Sequence, residues 1–493
     1  MAAISPARGR LPRTRAVGYS AGGPQVKENA CIEGLSRPAV FTNIPLMGSF
    51  RQPLVRPATV CRNLGIVALV LDVLAACSLA PSADPAEAVQ KIHRNGTPHT
   101  NSQGVARLAY DPEESFFPIG LYHALVGPHF GRDYDLSVVK DAGFNLIHFW
   151  NGQALADVIG PARAAGLQLM VPEPTLDDIR RFRGDPAIWG WYLDEEPSGR
   201  YPPDTHSEKL AIFAERRNAI RALDPARPVF SLDKPAMDDG RRANWLRWIS
   251  ASDIAAHFNY PALTSEPLRT LDSARGIPRS VALAVETSAE RKPVLLVVQA
   301  FASSRGWAWP SSRELRAMIY AGIVHGATGI VYFAYDSFVT RDGEVIGIAP
   351  DPVAAHGPTP DFDNDGKPPV AASERDLETS RGLWRDIVGL NAELHALAPV
   401  LLSPTAGADY AVAVTGESVS PTPIRVILKE HDGRWTLIAV NLDDAALRVR
   451  MTFPLPLGRV GRLFDDEGPP AVTGGIIEDN FAPFAVRLYT IER

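Results

Sequence analysis

Cysteine is nearly missing: Cys31, Cys61 and Cys77 are the only three among 493 residues. Residues 78–493 therefore cannot carry a disulfide framework or a cysteine-ligated metal. A strong charge of either sign is also missing. The formal net charge of -6 gives no electrostatic reason to expect a nucleic-acid partner. No apolar run is long enough for a comfortable membrane-spanning helix, and no internal repeat is evident. The hydrophobic content of 45% and charged content of 22% are ordinary for a globular chain. The length allows two or three domains.

The cysteines sit where an export signal would place them. Residues 64–77 read LGIVALVLDVLAAC, with Arg51, Arg56 and Arg62 ahead of them and Asp72 interrupting the apolar core. A basic flank, a short apolar core and small residues before a cut form the layout of a secretion signal. LAAC resembles the bacterial lipobox, whose cysteine becomes the lipidated first residue of the mature protein. The expected organisation is an unstructured extension over 1–46, a lipoprotein signal over 47–77 starting at Met47, and a flexible tether over 78–112. Lipidation at Cys77 would anchor the chain in a bacterial cell envelope, giving it a membrane partner.

From about residue 115, eight short apolar runs alternate with helical segments. They are FFPIGLYHAL (116–125), FNLIHFWN (144–151), LQLMVPEP (167–174), IWGWYLDEE (188–196), PVFSLDKP (228–235), DIAAHFNYP (253–261), PVLLVVQAF (293–301) and GIVYFAYDS (329–337). Amphipathic stretches such as 208–223 and 312–327 separate them. Eight strand-helix units predict an α/β class chain with an eight-stranded (β/α)8 barrel over 113–402. The rival open doubly wound sheet usually carries a glycine-rich loop after its first strand, and none follows here.

The fourth run ends in three acids, Asp194, Glu195 and Glu196, before Pro197. Strict alternation along this strand would turn Trp189, Trp191 and Leu193 toward the helices. Gly190, Tyr192, Asp194 and Glu196 would then face the barrel interior, with Glu195 in the outward set. Glu196 would reach the C-terminal mouth, where barrel enzymes keep their chemistry. The other strand ends supply His123, Asn151, Glu173, Asp233, His257, Asn259, Tyr260, Gln299, Tyr335 and Asp336. Polar residues at every strand end predict a ring around a shared pocket.

The Asp-Glu-Glu-Pro ending, together with HFNYP at 257–261, resembles the barrel glycoside hydrolases that include β-galactosidases, cellulases and β-mannanases, over about 115–400. That family ends its fourth strand in Asn-Glu-Pro or Asp-Glu-Pro. The resemblance implies a glycosidase acting on an oligo- or polysaccharide, with Glu196 as general acid/base, Asp194 raising its pKa, and no cofactor. Glu195 takes the position preceding the acid. Retaining members carry a nucleophilic glutamate at the end of the seventh strand, where this chain has Gln299. The second carboxylate is then Asp336, Asp233 or Glu173, with Asp336 preferred because its strand lies beside the seventh. A substrate-assisted Asp-x-Glu mechanism and sugar binding without cleavage remain alternatives.

Trp307 and Trp309, on the expected loop after the seventh run, are candidates to stack on sugar rings, as is Trp150. Arg305 beside them could recognise an acidic sugar. His123, His148 and His257 raise a metal-dependent hydrolase as a rival, although the His-x-His expected on a first strand is absent. DFDNDG at 361–366 matches the first half of a calcium loop through Asp361, Asp363 and Asp365, but Ala372 stands where glutamate is required. The pattern changes again over 403–493. Asp432-Gly433 between two apolar runs is a hairpin signal, and ALRVRMTF alternates cleanly, which predicts a small antiparallel β-sandwich.

Overall fold

The computed structural model describes residues 117–493, apart from 290–291, 341–342, 358, 362–371, 404, 407, 466 and 493. The expected signal, lipidation site at Cys77 and tether lie outside the described residues, as do Asp363 and Asp365. Among the described residues no helix is long and apolar enough to cross a membrane.

All eight runs form strands: β1 Ile119–Ala124, β2 Leu146–Phe149, β3 Gln168–Pro172, β4 Ile188–Glu195, β5 Val229–Asp233, β6 Ala255–Asn259, β7 Val294–Gln299 and β8 Gly329–Phe333. They close into a parallel barrel in the order β1-β8-β7-β6-β5-β4-β3-β2. Their β-branched and aromatic content suits strands buried on both faces. Local signals set the helices between them. Helix Ser312–Val324 opens with a capping box between Ser311 and Glu314, and helix Leu155–Ala165 ends at Gly166 in the left-handed conformation. A 29-residue helix, Glu374–Leu402, closes the barrel and starts earlier than its apolar periodicity suggests. Ser373 caps its polar first turn.

Alternating side chains divide the core in two. Tyr122, Met170, Trp189, Tyr192, Phe230 and Leu295 belong to the cluster inside the barrel. Trp191, Leu193, Leu296 and Tyr332 pack with the helix layer.

The C-terminal region is the expected sandwich. Its strands are β9 Ala411–Thr415, β10 Ile424–His431, β11 Arg434–Asn441, β12 Leu447–Thr452, β13 Val460–Leu463, β14 Ala471–Thr473, β15 Ile476–Phe481 and β16 Val486–Ile491. They form two antiparallel sheets, β9-β12-β15-β14 and β10-β11-β16-β13. Asp432 and Gly433 both take positive φ in the β10–β11 turn, as this two-residue hairpin requires. One sheet packs on the barrel: Ile438, Val440 and Leu488 join the helix-layer core, and Arg316 of helix Ser312–Val324 donates to the Val486 carbonyl at 2.9 Å. The sandwich also holds a barrel loop, since the Leu271 N–H donates to the Leu442 carbonyl at 2.7 Å and the Asp444 N–H to that of Arg269 at 2.9 Å.

Candidate active site

The acidic triplet does reach the barrel mouth, but the strand does not alternate strictly. β4 carries two register shifts, one between its pairings with β3 at Leu169 and Met170, the other between Tyr192 and Asp194 opposite β5. Each inserts one residue and resets which face the following side chains take. Trp189 therefore lies in the interior cluster rather than against the helices. Glu195 turns inward: the Tyr122 hydroxyl donates to its Oε1 at 3.1 Å, and the Tyr192 hydroxyl lies 3.1 Å from that of Tyr122. Asp194 is drawn aside to Arg200 and to the Tyr201 hydroxyl, the latter at 2.9 Å. The expected orientations of Trp189, Asp194 and Glu195 are thus corrected. Trp191, Tyr192 and Leu193 face as alternation predicts.

Glu196 follows directly, exposed at the mouth, with its backbone in the left-handed region at φ 50. His123, Glu173 and Asp336 share that conformation at the ends of β1, β3 and β8. Such a backbone costs non-glycine residues roughly 1–2 kcal/mol each. Four instances at one end of one barrel mark a surface shaped for something other than stability.

Electrostatics separate these acids. Burial, reinforced by the charge of Glu196, pushes the Glu195 carboxyl up to about 7 despite the opposing Tyr122 hydrogen bond. Asp194 is also raised by burial, against the pull of Arg200. Burial raises Asp233 to about 8, although the Ser198 hydroxyl donates to it at 2.8 Å and the Lys234 N–H at 2.9 Å. By holding Ser198, Asp233 fixes the turn that carries Glu196. Glu173 is exposed on the neighbouring strand, and its charge adds to the upward shift at Asp194 and Glu195. The Tyr260 hydroxyl is raised by burial and then by Glu196 and Glu195, which puts it in the same field.

Beneath the acids the floor is aromatic. His148 stacks on Tyr122 at 3.9 Å between ring centres, and Tyr192 stacks on Phe230 at 5.6 Å. Burial lowers His123 to about 3 and drives His148 well below its ordinary value, so both rings are neutral. Tyr260 stacks on Phe258 and Phe333 and meets Trp307 edge-on. From Tyr260 a cleft of about 620 Å³ runs outward past Trp307.

Several nominated residues point elsewhere. His257 lies 3.2 Å from the Ser280 hydroxyl, outside the barrel wall, so the three histidines do not converge on a metal. Asn259 donates to the Arg275 carbonyl at 3.0 Å and to Ser280 at 3.2 Å. Tyr335 packs on Trp384 of the closing helix, and Trp309 donates to Asp376 there at 2.9 Å. Asn151 is exposed in the turn after β2, beside Trp150, which packs on His129 and Phe130. Asp361 forms a backbone bridge with Val339.

Gln299 is fully buried. It receives the Ala262 N–H at 2.9 Å and donates to the carbonyls of Ala262 and Ala308 at 3.0 and 2.7 Å, clasping the loops on both sides of Trp307. Gln299→Ala is expected to cost about 1–3 kcal/mol of stability through unpaired main-chain groups. Urea titration measures it; an unchanged midpoint would mean the clasp contributes nothing.

Asp336, the preferred second carboxylate, is 1% exposed. It accepts from the Tyr134 hydroxyl at 3.0 Å and from the Val353 and Ser337 N–H groups at 2.8 Å each, with Arg132 at 3.3 Å. Its oxygens are occupied in tying the segments after β1 and β8 together. Asp336→Asn is expected to cost about 1–3 kcal/mol in unfolding free energy, because an amide NH2 would face the Tyr134 hydroxyl and Arg132 where a carboxylate oxygen accepted. Unaltered stability with lost turnover would instead give Asp336 to the chemistry.

Sequence reading missed Tyr122, while it turned Tyr192 inward and raised His148 only as a possible metal ligand. The signal was available for Tyr122 and His148, which alternate with outward residues on β1 and β2.

The fold and this mouth define a closed (β/α)8 barrel with a carboxylate cluster over an aromatic floor. No family model matches the chain, and no curated protein sequence matches it. Solved structures similar to it include an α-amylase of Anoxybacillus, at 10% identity over 76% of this chain and 98% of that one, with a TM-score of 0.45. An α-amylase from Geobacillus thermoleovorans complexed with acarbose shares 12% identity over 76% and 98%, at 0.42. An endo-β-1,4-mannanase from Thermotoga petrophila shares 13% over 75% and 91%, at 0.37.

Proposed function

We propose that this chain is a glycoside hydrolase acting on an oligo- or polysaccharide, with Glu196 as its general acid. One observation carries the reading: Glu196 stands exposed at the barrel mouth next to Glu195, a half-buried carboxyl pushed up to about 7. Near neutrality the Glu195 carboxyl beside it therefore still holds a proton, kept there by burial and by the charge of Glu196. Protonating the glycosidic oxygen as its bond to the anomeric carbon breaks requires a carboxylic acid at that pH.

A second carboxylate must attack the anomeric carbon or take a proton from the attacking water. Glu173 fills that role in this reading, because it is exposed on the adjacent strand end while Asp336 and Asp233 are buried and hydrogen-bonded. Trp307, half-buried at the cleft, offers a face for a sugar ring. Residues 64–77 support a lipid-anchored location in the bacterial envelope through Cys77.

A second reading, saccharide binding without turnover, is favoured by the clasped Gln299 at the end of β7. The deciding experiment is a hydrolysis screen of the full chain on aryl glycosides and natural polysaccharides. Turnover supports the hydrolase; saccharide binding with no turnover on any substrate removes it in favour of the binding protein.

A further inference from the structure

The charges at the barrel mouth are segregated. Glu173, Asp194, Glu195 and Glu196 occupy the ends of β3 and β4. The cleft beyond Tyr260 is walled by the loops after β5, β6 and β7, and these contribute Lys234, Arg275 and Arg305, with Glu266 the carboxylate in its lining. Arg269 also lines it but is paired with Asp444 at 3.2 Å. Among the described residues, the ion pairs leave Lys234 and Arg275 out, and both are exposed to the cleft. In a chain whose formal charge is -6, a basic wall of this kind runs against the overall composition.

The wall is also built. Asn259 donates to the Arg275 carbonyl, and Gln299 clasps the loops flanking Trp307. The guanidinium of Arg305 lies 5.4 Å from the centre of the Trp307 ring. At Gly276 a side chain would meet the Leu271 carbonyl oxygen at 1.9 Å, so the turn that presents Arg275 closes only around glycine. The sandwich pins the same loop through Leu442, and the Ser420 hydroxyl donates to Asp272 at 2.5 Å. Helix Ile277–Thr287 begins at Gly276 without a side-chain cap, adding the positive end of its dipole to this wall.

We infer that the substrate is an acidic saccharide, whose anionic group, a carboxylate or a sulfate ester, is bound by Lys234 and Arg275 while a neighbouring ring lies against Trp307. This rests on the glycosidase reading and names its substrate class. Segregation gives the arrangement its sense, because cations set apart from the acids do not pull the carboxyl pKa values down. The contact is electrostatic and solvent-accessible, so it weakens with salt.

The test is calorimetric titration of the full-length Glu196→Gln protein, which removes turnover from the measurement. The probes are tetragalacturonate, a sulfated galactan tetrasaccharide without uronate, and uncharged galactotetraose and cellotetraose. One acidic probe is expected to bind about tenfold more tightly than the uncharged ones, and adding Lys234→Gln with Arg275→Gln is expected to erase that difference. Arg385→Gln, on the closing helix, is the control and leaves it intact. Preference for tetragalacturonate assigns a carboxylate, and preference for the galactan assigns a sulfate. Uncharged probes bound as tightly as both acidic ones, and cleaved by the wild type, would overturn the inference and leave the hydrolase standing. No probe bound, with no turnover in the wider screen, would remove both.

Discussion

Replacing Glu196 with glutamine is expected to lower kcat/KM on a natural saccharide by about 10²–10⁴-fold, the usual contribution of a positioned general acid. Glutamine keeps the shape of the side chain and its exposure at the mouth but has no proton to give. KM is expected to change little, because the missing interaction forms only as the leaving oxygen gains negative charge. The fold is expected to be indifferent: Glu196 is exposed, and its turn is held by Ser198 and Asp233. A parallel assay of kcat/KM and melting temperature on wild type and variant checks both halves. A variant that lost activity only because it unfolded would remove the assignment.

The second large effect concerns Glu195 and pH. Its folded-state pKa of about 7 lies above the ordinary 4.5, so the folded protein binds this proton more tightly than the unfolded chain does. Its contribution to stability is full below about pH 4.5 and is lost as pH rises through about 7. Asp233, raised to about 8, acts in the same direction over a window reaching higher. Glu195→Gln removes the ionisation and is expected to stabilise the protein by about 2–3 kcal/mol at pH 8, with little change at pH 4.5. Denaturant titrations at the two pH values measure this. A variant less stable than wild type at pH 8 would mean that the carboxylate is held by partners stronger than the Tyr122 hydroxyl. Activity carries a matching signature. Wild-type kcat/KM is expected to fall above about pH 7 as Glu195 gives up its proton, and Glu195→Gln is expected to lose that limb.

The barrel was legible because each strand is an apolar run bounded by turn residues, and the period of two and the helical period separate cleanly. The Asp432-Gly433 hairpin was legible for the same local reason. The direction of side chains in β4 was not, since a bulge depends on how many residues the neighbouring strands place opposite it. Trp189 and Glu195 changed faces on that account. Nor could sequence separate polar strand ends that face the mouth from those that hold the wall. Asn259, Gln299 and Asp336 are polar at strand ends, yet each is taken up by main-chain or side-chain partners distant in sequence. The sandwich's hold on the loop over 269–272 depends on domain packing, which no local pattern encodes.

If Glu196 delivers a proton to the leaving oxygen, its loss must matter only where the leaving group needs that proton. A dinitrophenyl glycoside departs without protonation, whereas an alkyl glycoside of the same sugar does not. The measurement is the ratio of Glu196→Gln to wild-type kcat/KM on this pair, with the sugar taken from the hydrolysis screen. A ratio near one is expected on the dinitrophenyl glycoside, and a loss of about 10²-fold or more on the alkyl glycoside. Equal losses on both, or no loss on either, would contradict that role for Glu196.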